Sequence, residues 1–284
     1  MGSTSLAGSR VVVAGASAGI GRALAVRAVR DGARVLLTAR RADRLAEAAA
    51  EAGGGHVAAA DLRSEGDCAS LAGAARASLG GIDALVCCVG VARLRMIADV
   101  TGEDWRGLFE TNVEGPHRLL RACLPLLAPG AVVMVLSSET VHQPRTALGA
   151  YATSKAALDR LVEAWRTEHP RLRFTTVTVG ATFPTDFGNE FEPELLTWAL
   201  EDWSVRGLAQ EEFMAPDEVA GVLAGVLGTA AAFPAVGLDH LTVRSPSPVA
   251  GTFGGALDRA AGETGPSGGT TPERGALRGS VHPG

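Results

Sequence analysis

Six short apolar runs recur along the chain with longer helical patterns between them, and this alternation restricts the fold more than any other feature. The runs are RVVVAG at 10–15, RVLLTA at 34–39, HVAAAD at 56–61, DALVCCVG at 83–90, AVVMVLSS at 131–138 and RFTTVTVG at 173–180. They are too uniformly apolar for strands with one wet face and suit parallel strands covered on both sides. Amphipathic segments at 20–31, 41–52, 64–79, 102–128 and 150–168 supply the covering helices. Strands and helices in this order predict an α/β fold, a doubly wound parallel sheet with right-handed crossovers. HLTVR at 240–244 reads as a seventh strand. With 46% hydrophobic residues, the chain can bury one sizeable core, so residues 1–245 are expected to form a single domain.

From 181 to about 215 the alternation breaks into a leucine- and tryptophan-rich helical pattern, expected to be a flap over the carboxyl edge of the sheet. From Pro246 onward 15 of 39 residues are Gly or Pro, so 246–284 is expected to be a disordered tail. A net charge of −5 without any Lys/Arg-rich run argues against nucleic-acid and anionic-membrane partners and for a small molecule. No apolar run reaches the length of a membrane span, and the first ten residues lack the pattern of a signal peptide, so a cytoplasmic protein is expected. Cys68, Cys87, Cys88 and Cys123 form no CxxC pair and read as reduced packing residues. The six histidines fall outside HExxH or HxH spacing, and no metal is expected.

Two stretches carry chemistry. The first strand runs into GASAGIG, with Gly15, Gly19 and Gly21 at a strand-to-helix turn where the backbone can approach a pyrophosphate and helix amides can stabilise its charge. YATSK, at 151–155, holds the only tyrosine and the only lysine of a chain with 25 arginines. Placing that lysine at random would give this spacing roughly once in three hundred trials. In a helix the two share a face, and the ammonium would favour the phenolate of a residue that otherwise titrates near pH 10. Tyr151 could then donate or accept a proton, and Ser138, at the carboxyl end of the fifth strand, could fix a substrate oxygen. Taken singly, a tyrosine that packs, a solvated lysine, a capping serine and an asparagine pairing backbone would explain the same residues.

GASAGIG, TNVEG around Asn112, SS at 137–138 and YATSK together resemble, in order and spacing, the short-chain dehydrogenase/reductases, a nicotinamide-dependent Rossmann-fold family. The likeness runs from about residue 8 to 245. It implies a catalytic set of Asn112, Ser138, Tyr151 and Lys155, with Asn112 holding a water in a proton relay and Lys155 also meeting the nicotinamide ribose. It further implies cofactor contacts from Gly15, Ser17, Gly19, Ile20, Gly21, Asp61, Leu62, Gly90, Tyr151, Phe183 and Thr185. Ala39 stands where relatives that prefer NAD place Asp, and Arg40 follows, so NADP(H) is favoured with Arg41 and Arg22 as helpers. Relatives commonly form homotetramers or homodimers through helices corresponding to 102–128 and 150–168.

Two departures stand out. CCVG replaces NNAG after the fourth strand, and Gly180-Ala181 replaces Pro-Gly after the sixth. The resulting expectation is an NADP(H)-dependent carbonyl reductase or the reverse alcohol dehydrogenase. The alternatives are a non-catalytic cofactor-binding protein, or a redox-neutral epimerase or dehydratase on the same fold. Phe183, Phe187, Trp198, Trp203 and Phe213 suggest an apolar substrate pocket, although core packing explains them equally well.

Overall fold

The computed structural model describes residues 5–210 and 212–246. Seven parallel strands form one sheet: β1 (Arg10–Ala14), β2 (Arg34–Ala39), β3 (His56–Ala59), β4 (Ile82–Cys87), β5 (Leu127–Ser138), β6 (Arg173–Val179) and β7 (His240–Val243). Their order is β3-β2-β1-β4-β5-β6-β7. β1 is covered on both faces as expected: Val11 and Val13 enter one core while Val12 and Ala14 enter the other, whereas β3, at the edge of the sheet, leaves His56, Val57 and Ala59 exposed. The four β1 residues are fully buried. Trimming Val12 to Ala would cost about 2 kcal/mol, because a sheet packed on both faces cannot collapse around the gap.

Helices α1 (Gly19–Arg30), α2 (Ala42–Ala52) and α3 (Glu65–Leu79) follow the first three strands. The expected helix over 102–128 is three pieces: α4 (Gly102–Phe109), a π turn (Glu110–Glu114) and α5 (Gly115–Cys123), then a 3₁₀ turn into β5. Thr101 and Asp104 form a reciprocal capping box at the start of α4. Then come α6 (Gly149–Glu168), α7 (Pro193–Val205) in the flap, and α8 (Pro216–Ala232). The expected tail lies, beyond Pro246, outside the described residues.

The sheet order reverses between β1 and β4, so the carboxyl ends of these strands diverge into a crevice. The glycine turn after β1, the CCVG loop after β4, Ser138 at the end of β5 and the flap after β6 all open onto this edge. Flap and edge are joined by a third apolar cluster containing Leu94, Leu148, Tyr151, Ala199 and Trp203.

Candidate functional site

α6 positions two of the four expected catalytic side chains. Its buried stripe runs through Tyr151, Lys155, Leu158, Val162 and Trp165, so the same helical spacing that seats α6 on the sheet points Tyr151 and Lys155 inward. Both are nearly without solvent exposure, at 7% and 3%. Burial pushes the Tyr151 phenol up to about 12; the hydrogen bond with Ser138 draws it part of the way back, and the Asp159 carboxylate opposes that. Ser138 is itself oriented by Thr140, whose backbone N–H and hydroxyl both donate to its Oγ, at 3.2 and 3.0 Å.

Lys155 shares the buried face of α6 with Tyr151, and backbone carbonyls hold its ammonium. Its Nζ donates to the Leu136 carbonyl at 2.9 Å and the Val89 carbonyl at 3.5 Å, and no hydrogen bond joins it to Tyr151. Burial lowers its pKa, while Cys87 and Asp159 act the other way. The lysine therefore ties β5 to the CCVG loop. Gly90 of that loop runs close to the ammonium: a Cβ there would lie 3.0 Å from Lys155 Nζ, so the lysine would have to give way by a few tenths of an ångström.

Asn112, with no exposure, sits in the π turn. Its Oδ1 accepts from the Val91 N–H at 2.8 Å, and its Nδ2 donates to the Val91 carbonyl at 2.8 Å and to Ser154 Oγ at 2.9 Å. Ser154 in turn donates to the Tyr151 carbonyl at 2.7 Å. The amide thus joins the π turn to the loop after β4, and single-turn π insertions of this kind are frequent at functional sites. Ser154 was not singled out in the sequence, although it lies between the tyrosine and the lysine.

The glycine turn fits a dinucleotide. Gly15 has φ +88°, and a Cβ on Gly21 would lie 2.3 Å from the Gly15 carbonyl oxygen, so the turn is tighter than any side chain permits. α1 begins with Ala18 as its N-cap, with no side-chain cap and no acid in its first turn, which leaves its leading amides for an anion. Ile20 packs against the core below, and the Thr185 methyl carbon lies 3.4 Å from where a Gly19 Cβ would be.

The basic residues divide three ways. Arg40 is exposed, and its charge helps hold the Asp61 carboxyl below the ordinary range, although the hydrogen bond from Arg63 is the larger cause. Arg41 donates to Ser17 Oγ at 3.0 Å and to the Asp186 carboxylate at 2.6 Å. Arg22, an expected helper, instead pairs with Glu51 at 3.0 Å and Glu47 at 3.4 Å, pinning α1 to α2. Leu62 is buried under α5, against Gly115.

In the flap, Phe183 is 60% exposed and its N–H donates to the Met214 carbonyl at 3.0 Å, while Thr185 Oγ1 accepts from the Phe187 N–H at 3.4 Å. The Phe187 ring meets Tyr151 edge-on at 5.2 Å. Trp203 is buried and donates to the Thr146 carbonyl at 3.0 Å, whereas Trp198 and Phe213 are exposed. Sequence reasoning missed the nearly buried Glu139–Arg145 ion pair beside Ser138, with Arg145 over the Trp203 ring at 5.5 Å. All four cysteines are free thiols, three of them buried.

A parallel sheet of this order, a glycine turn at its switch point and a buried tyrosine facing a serine define a Rossmann-like α/β protein. The short chain dehydrogenase family model matches residues 9–196, and the chain belongs to that family of oxidoreductases. It is 34% identical over 202 residues to the human dehydrogenase/reductase SDR family member 2, mitochondrial, covering 68% of this chain and 71% of that protein. It is 32% identical over 199 residues to the glycine betaine reductase ATRR of Emericella nidulans, covering 67% of this chain but only 16% of that longer protein. Among solved structures, the alcohol dehydrogenase of Thermococcus sibiricus complexed with 5-hydroxy-NADP superposes with a TM-score of 0.71 at 25% identity, covering 83% of this chain and 96% of that one. No helix among the described residues is long and apolar enough to cross a membrane.

Proposed function

We propose that the protein interconverts a carbonyl and a secondary alcohol with NADP(H), and that Tyr151 exchanges the proton. The observation that carries this reading is the buried Tyr151 side chain set against Ser138 at the carboxyl end of β5, on the same sheet edge as the glycine turn. The bound nicotinamide would supply or accept the hydride. Gly15, Ser17, Gly19, Ile20 and Gly21 would hold the pyrophosphate, Asp61 and Leu62 the adenine end, and Arg40 and Arg41 the 2′-phosphate. Gly90, Phe183, Thr185 and Lys155 would flank the nicotinamide end. Ser138 would hold the substrate oxygen against Tyr151, and Asn112 would secure the loop that carries Gly90.

A phenol pushed up to about 12 keeps its proton at neutral pH, so Tyr151 is poised to protonate a carbonyl oxygen. The resemblance of this chain to an alcohol dehydrogenase complexed with an NADP analogue supports the cofactor assignment. Homo-oligomerisation through α4–α6 and a cytoplasmic location are part of the same proposal.

The test is a fluorescence titration with NADPH and NADH, repeated with Arg40→Ala, followed by a carbonyl panel with Tyr151→Phe. NADPH preference erased by Arg40→Ala, and turnover lost in Tyr151→Phe with nucleotide affinity kept, are the expected results. Normal turnover in Tyr151→Phe overturns the mechanism. One observation favours a second reading, a cofactor-binding protein without turnover: Phe187 covers the edge of the Tyr151 ring. Tight NADPH binding with no activity across the panel would select it.

A further inference from the structure

Two neighbouring residues of the flap contact different parts of the candidate site. Asp186 and Phe187 belong to one 3₁₀ turn, Asp186–Gly188, capped by Thr185. The Asp186 carboxylate takes Arg41 through Oδ2 at 2.6 Å, and its Oδ1 accepts from Asn189 Nδ2 at 3.3 Å, so both oxygens are oriented. The same guanidinium nitrogen reaches Ser17 of the glycine turn at 3.0 Å. Phe187 lies against Tyr151, backed by Phe191 at 5.4 Å. Thr185 sits over Gly19 between them. The turn thus bridges the basic end of the crevice and the candidate acid.

We propose that Asp186 determines cofactor affinity by competing with a 2′-phosphate for Arg41, and that the exchange lifts Phe187 from Tyr151. This rests on the NADP(H) reading above. A phosphate monoester carries nearly two charges and three acceptor oxygens, so it outcompetes one carboxylate for a guanidinium. A ribose hydroxyl does not. A 2′-phosphorylated nucleotide therefore frees the turn, whereas its unphosphorylated counterpart leaves the pair closed and Phe187 in place. Asp186 is a specificity-determining residue in this scheme, and the phenylalanine beside it is the element it controls.

The probes are 2′,5′-ADP and 5′-ADP, which carry no nicotinamide and need no turnover. By calorimetric titration at low salt, Asp186→Asn is expected to tighten 2′,5′-ADP about three- to fivefold, the range available to an exposed ion pair. Binding of 5′-ADP stays unchanged, and the gain disappears in an Arg41→Ala background. Amide hydrogen exchange across 182–191 rises when 2′,5′-ADP saturates the wild-type protein and stays level with 5′-ADP.

Equal tightening of both ligands, or tightening that survives Arg41→Ala, would make Asp186 a general source of negative field and overturn the competition. Unchanged exchange with 2′,5′-ADP overturns the control of Phe187. If 2′,5′-ADP binds no tighter than 5′-ADP to the wild type and to Asp186→Asn alike, the NADP(H) reading falls and takes the proposal with it. If it binds tighter but is indifferent to Asp186→Asn, only the proposal falls.

Discussion

Asn112→Ala removes one amide that satisfies both backbone groups of Val91. In the wild type the Val91 N–H and carbonyl each meet Asn112 at 2.8 Å. Orphaning a buried donor or acceptor costs about 1–3 kcal/mol, and Val91 is half-buried, so water can reach part of the way and each loss falls toward the low end. Ser154 keeps its own acceptor, the Tyr151 carbonyl, and adds little. The amide itself has no exposure, so its removal also leaves a small cavity. Together these give about 3 kcal/mol, a large share of a marginal stability. Urea unfolding should show a lower midpoint at unchanged slope, and the Val91 amide should exchange at least tenfold faster as the loop opens locally. A loss below about 1 kcal/mol, with Val91 exchange unchanged, would refute the claim that Asn112 joins the π turn to this loop.

Three further outcomes follow from the same geometry. Gly21→Ala places a carbon 2.3 Å from a backbone oxygen that cannot yield, so the variant should lose about 1–3 kcal/mol in a thermal or urea melt and lose nucleotide binding in a fluorescence titration. Because Tyr151 is pushed up to about 12, the phenolate fraction grows tenfold per pH unit below that value. Initial rates of alcohol oxidation should climb steadily from neutral to alkaline pH while carbonyl reduction stays nearly flat; a plateau in oxidation near pH 7 would contradict the burial argument. Asp83 is held below the ordinary carboxylate range by its hydrogen bond from Arg10, whose Nε and Nη2 donate at 2.9 and 2.6 Å. A depressed folded pKa stabilises above the unfolded value and is lost as pH falls through the folded one. Asp83→Asn should therefore cost up to about 1 kcal/mol at pH 7, as expected of a partly exposed pair, and nothing near pH 2 in denaturant titrations.

The central strands were legible because burial on both faces admits few polar residues beyond threonine and serine, and the observed strands fall within a few residues of the apolar runs; β3 was found by its place in the alternation although its side chains are mostly exposed. α8 was missed for a related reason. Its sequence, VAGVLAGVLGTAAA after Pro216-Asp217-Glu218, is apolar or small all round and gives no amphipathic period. One face is buried by the core, while Val222 on the other is 44% exposed. The 102–128 helix was expected whole because a π turn leaves the local composition helical, and the pairing of Asn112 with Val91 has no signature there.

What remained hidden is tertiary pairing between residues far apart in the chain. Tyr151 and Lys155 could be placed on one face because helical geometry links positions four apart. Where the ammonium points depends instead on Leu136 and Val89, carbonyls with no side-chain signature. Arg22 and Arg41 look equivalent in sequence, yet Glu47 and Glu51 on α2 engage the first and Asp186, 145 residues away, engages the second. An arginine near a phosphate-binding turn is thus informative only once its carboxylate partner is known. A guanidinium tied to two acids on a neighbouring helix serves packing, whereas one shared between Ser17 and a single carboxylate on the flap can exchange that carboxylate for a more highly charged anion.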